Sequence, residues 1–438
     1  MDIFNADLHI HSPHSIAVSK SLNLDTMVET CKKKGLHILG TGDVLQPDWL
    51  NYLENNLKRN KDGVFTYKEV SFILQTEIED KESIHELIFF PDFKTVKEFQ
   101  KKIIPYSKNV LDDWGGRPRV NLSPVELVEL VLESGGLIGP AHAFTPFKAI
   151  FRQNKFESLE QCYQNTIKHV KFIELGLSAN TDLADRLECL QHVTFLSNSD
   201  AHSESPLSLG REFNRFDIDN PSFEEINLAI NRKDNRKITL NVGLHPKLGK
   251  YYNMFCNKCR RRVIFKKTNT RASNIFNQYT ISDNFIIYFS AEPKKAKNVY
   301  INMVSKEKAI CPACKEQSKK NVKIKLGVNE RINIISSYKE PNHPKHRPFY
   351  INAIQLVNII RAVKGIKSAT SKTVLNTYQK IIEQLGSEFE ILIDIPIQRI
   401  SQFDEKIASV IDAFRSNNID YIPGGGGTYG EIKLDILE

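Results

Sequence analysis

This 438-residue chain contains two pairs of residues whose members are two positions apart and could bind the same cation. His9 and His11 lie in the run NADLHIH, and Asp200 and His202 lie in SNSDAH. Side chains of a β-strand alternate between its two faces, so residues i and i+2 point to the same side. Each pair therefore predicts part of a metal site.

Further potential ligands follow other apolar runs of the N-terminal half. Asp43 ends GTGD, Glu77 lies in QTEIE, His85 in SIHEL and His142 in GPAHA. With the two pairs, these residues supply more donors than one ion needs, and a carboxylate such as Glu77 can bridge two ions. Two metals roughly 3.5–4 Å apart are a standard means of hydrolysing phosphodiesters. The sequence therefore indicates a multinuclear hydrolytic centre.

Some of these residues are expected to take part in catalysis as well as in binding. Asp200 or His202 would hold or deprotonate the attacking water, and Glu77 would bridge the ions. Glu174, in FIELGLS, also stands at a predicted strand end, and it could be a ligand, a group behind the ligands or a substrate contact. His14 is one more candidate ligand or supporting group.

The elements that must position these residues form an alternating series over residues 1–245. Apolar runs such as HILGTGD and VTFLSNSDAH alternate with helical patterns such as LDTMVETCKKK. Strands separated by helices predict βα units and a mostly parallel sheet, and about seven such units fit a closed or nearly closed barrel. The candidate ligands then stand at strand ends, where the sites of βα barrels are assembled.

A different metal site is predicted in the segment 246–326. CNKC and CPAC, which 51 residues separate, supply two pairs of cysteines: Cys256, Cys259, Cys311 and Cys314. Four thiolates in two such pairs suit tetrahedral Zn²⁺. A redox role would need a thioredoxin-like βαβ context, which the pattern lacks.

Positive charge is concentrated in the same segment. Residues 256–325 contain 17 Lys and Arg against 4 Asp and Glu, whereas the whole chain has a net charge of +8. Such a segment is suited to the phosphate backbone of nucleic acid, although a solvated lysine-rich surface is the alternative. Arg260, Arg261 and Arg262 directly follow the first cysteine pair, and we expect them to contact DNA.

The remaining composition is that of an ordinary globular protein. No run of 18 apolar residues occurs, and the N-terminus lacks a basic segment followed by an apolar one. These features predict a cytoplasmic protein without membrane contact. Residues 327–438 are expected to form a mainly helical α+β domain. It ends in PGGGGTYG, either a flexible turn or a close contact with a ligand or the barrel.

The ordered motifs DLHIHS, GTGD, TEIE with the following His85, GPAH and SDAH resemble the PHP (polymerase and histidinol phosphatase) superfamily. The resemblance implies a distorted (β/α)7 barrel that holds two to three divalent ions, Zn, Mn or Mg. The ligands it implies are His9, His11, Glu77 and Asp200 for one ion, Glu77, His85 and His142 for a second, and Asp43 and His202 for a third. Many members have histidine where this chain has Asp43, which leaves the identity of the third ion open.

A wider set of motifs is similar to the endonuclease Q family and spans all three segments: LHIHS, AVSK, GTGDVLQPDWL, GLHPKLGKYYNMFCNKC, CPAC and IPGGGGTYG. The resemblance implies a metal-dependent DNA repair endonuclease. It would nick DNA 5′ to deaminated bases (hypoxanthine, uracil, xanthine) and at abasic sites, with a sliding clamp as a family-level expectation for a partner. Two alternatives remain: a PHP-type phosphatase of a small metabolite, and a non-catalytic DNA-binding protein with a relic barrel. The basic cysteine segment argues against the first, and the retained ligand set argues against the second.

Overall fold

The structure, a computed structural model, describes residues 1–269, 276 and 278–433. Residues 270–275 and 277 of the predicted zinc module, and 434–438 of the predicted third domain, lie outside the described residues. Within the described part of the chain, no helix is long and apolar enough to cross a membrane.

The N-terminal segment alternates strands with helices, as its sequence pattern predicts. Its strands are β1 (Asp2–Asp7), β2 (Ile38–Gly40), β3 (Lys58–Arg59), β4 (Phe65–Tyr67), β5 (Val70–Glu79), β6 (His85–Phe90), β7 (Leu137–Pro140), β8 (Phe172–Glu174), β9 (Thr194–Leu196), β10 (Phe213–Ile218) and β11 (Lys237–Gly243). Its α-helices are α1 (Leu24–Lys34), α2 (Pro47–Asn56), α3 (Phe93–Ile103), α4 (Pro124–Glu133), α5 (Leu159–Tyr163), α6 (Thr181–Ala184) and α7 (Phe223–Asn231). Short 3₁₀ turns lie at Ile104–Tyr106, Gln164–His169, Glu188–Leu190 and Pro246–Leu248.

Two smaller units follow along the chain. The cysteine module contains β12 (Phe255–Cys256), β13 (Arg262–Lys267), β14 (Tyr279–Ile281), β15 (Phe285–Ser290), α8 (Pro293–Ser305), α9 (Pro312–Ser318) and β16 (Ile324–Lys325). The C-terminal segment contains α10 (Val328–Ile335), β17 (Phe349–Asn352), α11 (Leu356–Val363), α12 (Lys372–Leu385), a π-helical turn (Glu390–Asp394), α13 (Ile397–Ser401), α14 (Glu405–Arg415), β18 (Asp420–Ile422) and β19 (Glu431–Lys433).

Local signals in the sequence account for the ends of the helices. Asn23 caps α1, because its side chain accepts from the amides of Asp25 and Thr26, and Gly35 ends the helix with a left-handed φ of 86°. Ser123 and Glu126 form a reciprocal capping box at the start of α4. These caps fix where each connection leaves for the next strand.

The sheet of the N-terminal segment is mixed, whereas the pattern predicted a mostly parallel one. β1 pairs parallel with β2, and β2 with β5, but β6 pairs antiparallel with β5 and β7, and β10 pairs antiparallel with β1. The reason is local: β5 and β6 are joined by a tight turn, in which Asp80 accepts from the amide of Ile84 at 2.8 Å, so no helix separates them. The fold is α/β, with reversed pairs that the alternation did not reveal.

Asparagine side chains bridge strands where the backbone ladder is interrupted. β8 and β9 pair only with each other in the described ladders. Asn214 of β10 accepts from the amide of Ser197 at 2.8 Å, and Asn241 of β11 donates to the carbonyl of Phe195 at 3.0 Å. These bonds satisfy buried backbone groups that a regular barrel would pair with a neighbouring strand.

The cysteine module is a small mixed sheet with two helices. Its strands lie in the order β14, β15, β13, β12, β16. Met254, Val263, Ile286, Tyr288 and Tyr300 form its core together with the buried cysteines. The aromatic residues of this segment therefore build the core of the module, which is how small domains of this size bury apolar area.

The C-terminal segment is divided between two cores. β17 pairs parallel with β11 and so extends the sheet of the N-terminal segment. Helices α11, α12 and α14 pack around their own apolar core. The predicted boundaries at 245 and 326 stay predictions, but residues 328–352 pack on the N-terminal segment in this structure.

A buried ion pair joins the helical core to the N-terminal segment. Lys34, at the end of α1, donates to Glu388 at 2.9 Å, and both side chains are almost wholly inaccessible. Glu388 also accepts from the hydroxyl of Tyr378 and from the amide of Leu356. The carboxylate therefore has three polar partners inside the protein, one of them a lysine.

We expect Lys34→Ala to lower the free energy of unfolding by about 3–5 kcal/mol, because it leaves Glu388 charged and buried without its cation. Chemical denaturation measures the effect. The matched control is Lys33→Ala, since Lys33 pairs with Glu29 at 2.7 Å on the exposed face of the same helix. An exposed pair contributes about 1 kcal/mol or less. Equal effects of the two substitutions would contradict the structural role of the buried pair.

Candidate metal centre

The two histidine and aspartate pairs meet because their strand ends are hydrogen-bonded to each other. The amide of His11 donates to the carbonyl of Ala201 at 2.9 Å, and Ile10 and Ala201 form a parallel bridge. This contact places His9 and His11 beside Asp200 and His202. His11 Nε2 lies 3.0 Å from Asp200 Oδ1.

Glu77, near the end of β5, lies at the centre of the cluster. Its Oε1 is 2.9 Å from His85 Nδ1 and 3.0 Å from His142 Nε2. The same oxygen is 3.7 Å from His9 Nε2, and Oε2 is 3.6 Å from His11 Nε2. A single buried carboxylate therefore faces four imidazoles, as a bridging ligand between ions would.

Potential ligand atoms of the N-terminal segment form three sets, and within each set the atoms lie within 4.8 Å of one another. The sets are His9, His11 and Glu77; Glu77, His85 and His142; and His11, Asp200 and His202. Since Glu77 and His11 each belong to two sets, the ions would be neighbours. The geometry brings together seven of the eight residues that the sequence predicted as barrel ligands.

Asp43, the eighth, stands behind His11. Its Oδ1 is 3.0 Å from His11 Nδ1, and its Oδ2 accepts from the amide and the hydroxyl of Ser12 at 2.6 and 2.8 Å. In this position its carboxylate faces the imidazole of His11, and its predicted role as a ligand of a third ion stays a prediction. The sequence shows that Asp43 follows a strand, but it does not show on which side of His11 the carboxylate lies.

Glu174 has the corresponding position behind His9. Both of its oxygens lie 3.0 Å from His9 Nδ1, and it also accepts from the amide of His142 and the side chain of Asn198. The contact turns His9 Nε2 toward Glu77. Of the roles open to Glu174 from sequence, the geometry favours that of a group supporting the ligands. His14 is set apart, with Nδ1 3.0 Å from the carbonyl of Asp113.

Backbone strain coincides with the cluster. Asp43, His142 and Asp200 have φ angles of 42°, 29° and 49°. Residues with a Cβ adopt this region rarely and at a cost of about 1–3 kcal/mol, so they persist there when the surroundings hold them in place. Each of the three is at a strand end, where the strained turn aims the side chain toward its neighbours.

The polar atoms at the centre fit bound cations. His9 Nε2 and Glu77 Oε2 are buried and have no hydrogen-bond partner among the described residues. Burial alone lowers the pKa of an imidazole, yet Asp43 and Asp200 raise the pKa of His11 to about 10. Burial alone raises the pKa of a carboxyl group, yet His85 and His142 hold that of Glu77 well below its usual range. The cluster therefore stabilises positive charge at its centre, which divalent ions would supply.

An open cavity of about 490 Å³ lies over the cluster, and residues that were not predicted as site residues also line it. They include Arg117, Lys148, Arg211, Lys250 and Tyr429. Tyr429 comes from the chain end, and its hydroxyl accepts from Arg211 at 2.7 Å. Lys250 and Tyr429 lie in the motifs GLHPKLGKYYNMFCNKC and IPGGGGTYG, but the four cations come from separate loops and share no spacing, so the sequence did not assign them to the site.

The four predicted cysteines converge. Cys256 Sγ lies 3.6 Å from Cys314 Sγ, and Cys259 Sγ lies 3.7 Å from Cys311 Sγ. In a tetrahedron with Zn–S bonds of 2.3 Å, the sulfurs are about 3.8 Å apart. The Cys311 thiol and the amides of Cys259 and Lys258 lower the pKa of Cys256 to about 5. The group therefore fits a zinc ion held by thiolates.

The three arginines that follow the first cysteine pair are engaged in different ways. Arg260 lies over the rings of Phe147 and Phe255, at 5.2 and 5.7 Å. Arg262 donates to the carbonyl of Pro423 at 2.6 Å. Arg261 donates to the carbonyl of Ser282 at 2.7 Å. Arg260 and Arg262 thus connect the cysteine module to the rest of the chain, and DNA contact by the three stays a prediction.

Known proteins resemble the chain over most or all of its length. A family profile described as the MJ0043 C-terminal domain matches residues 355–418. The uncharacterized protein MJ0043 of Methanocaldococcus jannaschii is 36% identical over 298 residues. The matched residues are 67% of this chain and 31% of that protein. The uncharacterized protein YqxK of Bacillus subtilis is 29% identical, with 98% of both chains covered.

Two crystal structures match with a TM-score of 0.82 and 38% identity. One is the lesion-specific endonuclease PfuEndoQ from Pyrococcus furiosus, with 100% of this chain and 97% of that one covered. The other is endonuclease Q in complex with a 27-mer duplex substrate that has an abasic lesion at the active site, with 99% and 96% covered.

The α/β fold and the carboxylate-bridged histidine cluster define the class of this protein, a metal-dependent phosphodiesterase. Within that class, the full-length likeness at 38% identity places it more narrowly. The chain belongs to the endonuclease Q family.

We expect Cys311→Ser to remove the zinc and to unfold the cysteine module, because structural zinc contributes folding free energy directly. Elemental analysis and thermal denaturation of the full chain measure both effects. Cys189→Ser is the control, since Cys189 lies outside the four-thiol group. Retention of the zinc by the Cys311 variant would contradict the assignment.

We expect Glu174→Ala to weaken binding of divalent ions in the barrel about 10–100-fold, because His9 loses the carboxylate that orients it. Titration of the metal-free protein, followed by calorimetry, measures the affinity. Glu188→Ala, at an exposed position, is the control. An unchanged affinity would mean that packing alone orients His9.

Proposed function

We propose that this protein is an endonuclease that uses metal ions to hydrolyse one DNA strand at damaged nucleotides. The observation that carries the proposal is the position of Glu77 between four imidazoles, at the floor of a cavity lined by cations. Ions held on either side of a carboxylate are suited to a phosphodiester, whose attacking and leaving oxygens both need stabilisation. Membership of the endonuclease Q family supports the choice of DNA.

The protein residues would hold and orient the reacting groups. His9, His11, Glu77, His85 and His142 would hold two or three divalent ions, which would lower the pKa of a bound water and polarise the scissile phosphate. Asp200, whose side chain is 30% exposed toward the cavity, is placed to orient the attacking water or accept its proton. His202 would assist, because its Nδ1 is engaged with the carbonyl of Asp200 at 2.9 Å and its Nε2 remains available.

The cations of the cavity would bind the phosphates on either side of the cleavage point. Arg117 lies 4.0 Å from Glu77 Oε2, at the inner end of the cavity. Arg211 is fixed by bonds to the carbonyl of Ser199 at 2.7 and 2.9 Å. Lys250 lies over the ring of Tyr429 at 4.7 Å. Guanidinium and ammonium groups that line one cavity suit the phosphates of a nucleic-acid strand.

The preferred lesions would be deaminated bases, namely hypoxanthine, uracil and xanthine, together with abasic sites. A mispaired or missing base costs less to extrude from the duplex than a paired one. Deamination replaces an exocyclic amine with a carbonyl group. A pocket that donates hydrogen bonds at this position accepts the damaged base and rejects the normal one. A sliding clamp as partner and a cytoplasmic location stay predictions.

We expect a labelled duplex with one hypoxanthine or one abasic site to be nicked once, on the 5′ side of the lesion, when a divalent ion is added. The ends should be a 3′-hydroxyl and a 5′-phosphate, because water forms a new bond to phosphorus, the P–O3′ bond breaks, and the 3′-oxygen leaves as the hydroxyl. Asp200→Asn should lower the rate about 100-fold or more while DNA binding is retained. Denaturing electrophoresis and a filter-binding assay measure the two effects.

An undamaged duplex of the same sequence and the exposed Asp62→Asn variant are the controls for this experiment. Equal cutting of damaged and undamaged strands would defeat lesion specificity and leave the nuclease proposal standing. Release of phosphate from small esters without cutting of the duplex would favour the metabolite phosphatase. Binding of DNA without hydrolysis under any metal would favour the relic scaffold.

A further inference from the structure

A loop beside the metal centre presents large apolar side chains to solvent. In the segment 107–117, the side chains of Leu111 and Trp114 are 56% and 52% exposed. Nearby Tyr106 is 47% exposed. Exposed large rings next to a polar site indicate an interaction surface rather than a core.

The loop is held rigidly against the support of the metal centre. The carbonyl of Asp113 bonds His14 Nδ1 at 3.0 Å, and the amide of Gly116 donates to the carbonyl of His14 at 3.2 Å. A Cβ on Gly116 would lie 2.7 Å from Asp43 Oδ2. Only glycine lets the backbone approach this closely, so the position of Trp114 is fixed relative to the site.

Trp114 stands on the rim of a groove that leads away from the metal centre. The groove has a volume of about 790 Å³, and Trp114 and Tyr106 both line it. His85, Arg117 and Lys148 line this groove and also the cavity over the metal cluster. The two depressions therefore adjoin each other at these three residues.

The groove carries an excess of positive charge. Its lining includes five cations, Lys81, Lys108, Arg117, Arg119 and Lys148, and two carboxylates, Glu79 and Asp112. Glu79 is already paired with Lys148 at 2.5 Å and with Arg119 at 3.4 Å. An apolar protein segment would gain little from such a wall, whereas a polyanion with aromatic faces matches both the charges and the rings.

We propose that this groove binds an unpaired stretch of DNA strand that adjoins the cleaved phosphate, with a base stacked on Trp114 and its phosphates against Lys81 and Lys108. The inference rests on the proposed function, since it places a second segment of the same substrate. Stacking requires a base whose face is open, which the bases next to a lesion supply when the damaged base is extruded or missing and an intact duplex does not. Trp114 would thus be a positioning residue.

Intrinsic fluorescence can report this contact, because the chain has two tryptophans in different environments. Trp49 is 4% exposed, and its indole donates to the carbonyls of Thr41 and Gly42. When the Asp200→Asn protein is titrated with a duplex that carries one abasic site, we expect the emission of Trp114 to be quenched and to become protected from acrylamide. Trp114→Phe in the same background should abolish the change.

Affinity measurements separate stacking from charge. Trp114→Ala should weaken binding of the abasic duplex about tenfold or more, and Trp114→Phe should retain most of the affinity. Leu111→Ala is the matched control, because Leu111 is exposed on the same loop but does not line the groove. Lys81→Gln with Lys108→Gln should reduce the slope of log affinity against log salt by about 1.4, at about 0.7 for each single-strand phosphate contact.

Three results would overturn the inference: no quenching of the parent protein, equal quenching by undamaged duplex at saturation, or a Trp114→Ala affinity within twofold of the parent. The wild-type protein is first tested for cleavage of the abasic duplex. A protein that cuts the duplex but gives one of these results refutes the groove and leaves the proposed function intact. A protein that neither cuts nor binds the duplex refutes the proposed function itself.

Discussion

The structure depends on the burial of one carboxylate. Glu77 is 1% exposed, and an ion at that depth costs several kcal/mol unless charge of opposite sign compensates it. The surrounding imidazoles can provide that compensation only as ligands of cations or as protonated groups. This requirement explains why His9 and His11 are each backed by a further carboxylate, from Glu174 and Asp43, and why strained turns at the strand ends are tolerated. The negative charge of the buried carboxylates would therefore be compensated by the positive charge of bound metal ions.

The interrupted strand pairing of the N-terminal segment belongs to the same arrangement. Asn198 accepts from the amide of Leu8 and from Asn214, and it donates to Glu174. Asn214 in turn bridges to Asn241 at 2.9 Å. A continuous ladder would leave these polar side chains without a role. Where the ladder is interrupted, they connect the strands and also fix the carboxylate that orients His9. The departure from a regular barrel therefore supports the metal centre.

The sequence predicted the parts of the site that are local in the chain and missed those that depend on tertiary contacts. The ligand pairs and the cysteine pairs follow from spacing, and the structure brings them together. The role of Asp43 does not follow, because a strand-end carboxylate can face an ion or the back of a histidine. The pairing of β17 with β11 joins residues more than a hundred positions apart, and no periodicity signals it. The antiparallel pairing of β5 with β6 was not predicted, because the alternation of strands and helices favoured parallel pairs.

The segment with the most basic residues in the sequence is not the segment whose cations are all free to bind a ligand. The basic character lies mainly in 256–325, yet Arg260 and Arg262 there face aromatic rings and the Pro423 carbonyl. Gly426 has a φ of 65°, and a Cβ there would lie 1.8 Å from the carbonyl oxygen of Arg260, so glycine is required where the chain end docks on this module. Docking carries Tyr429 into the cavity over the histidine cluster. The cysteine module therefore supports the segment that brings Tyr429 to the candidate metal centre, and the cations that face the cavity come from several parts of the chain.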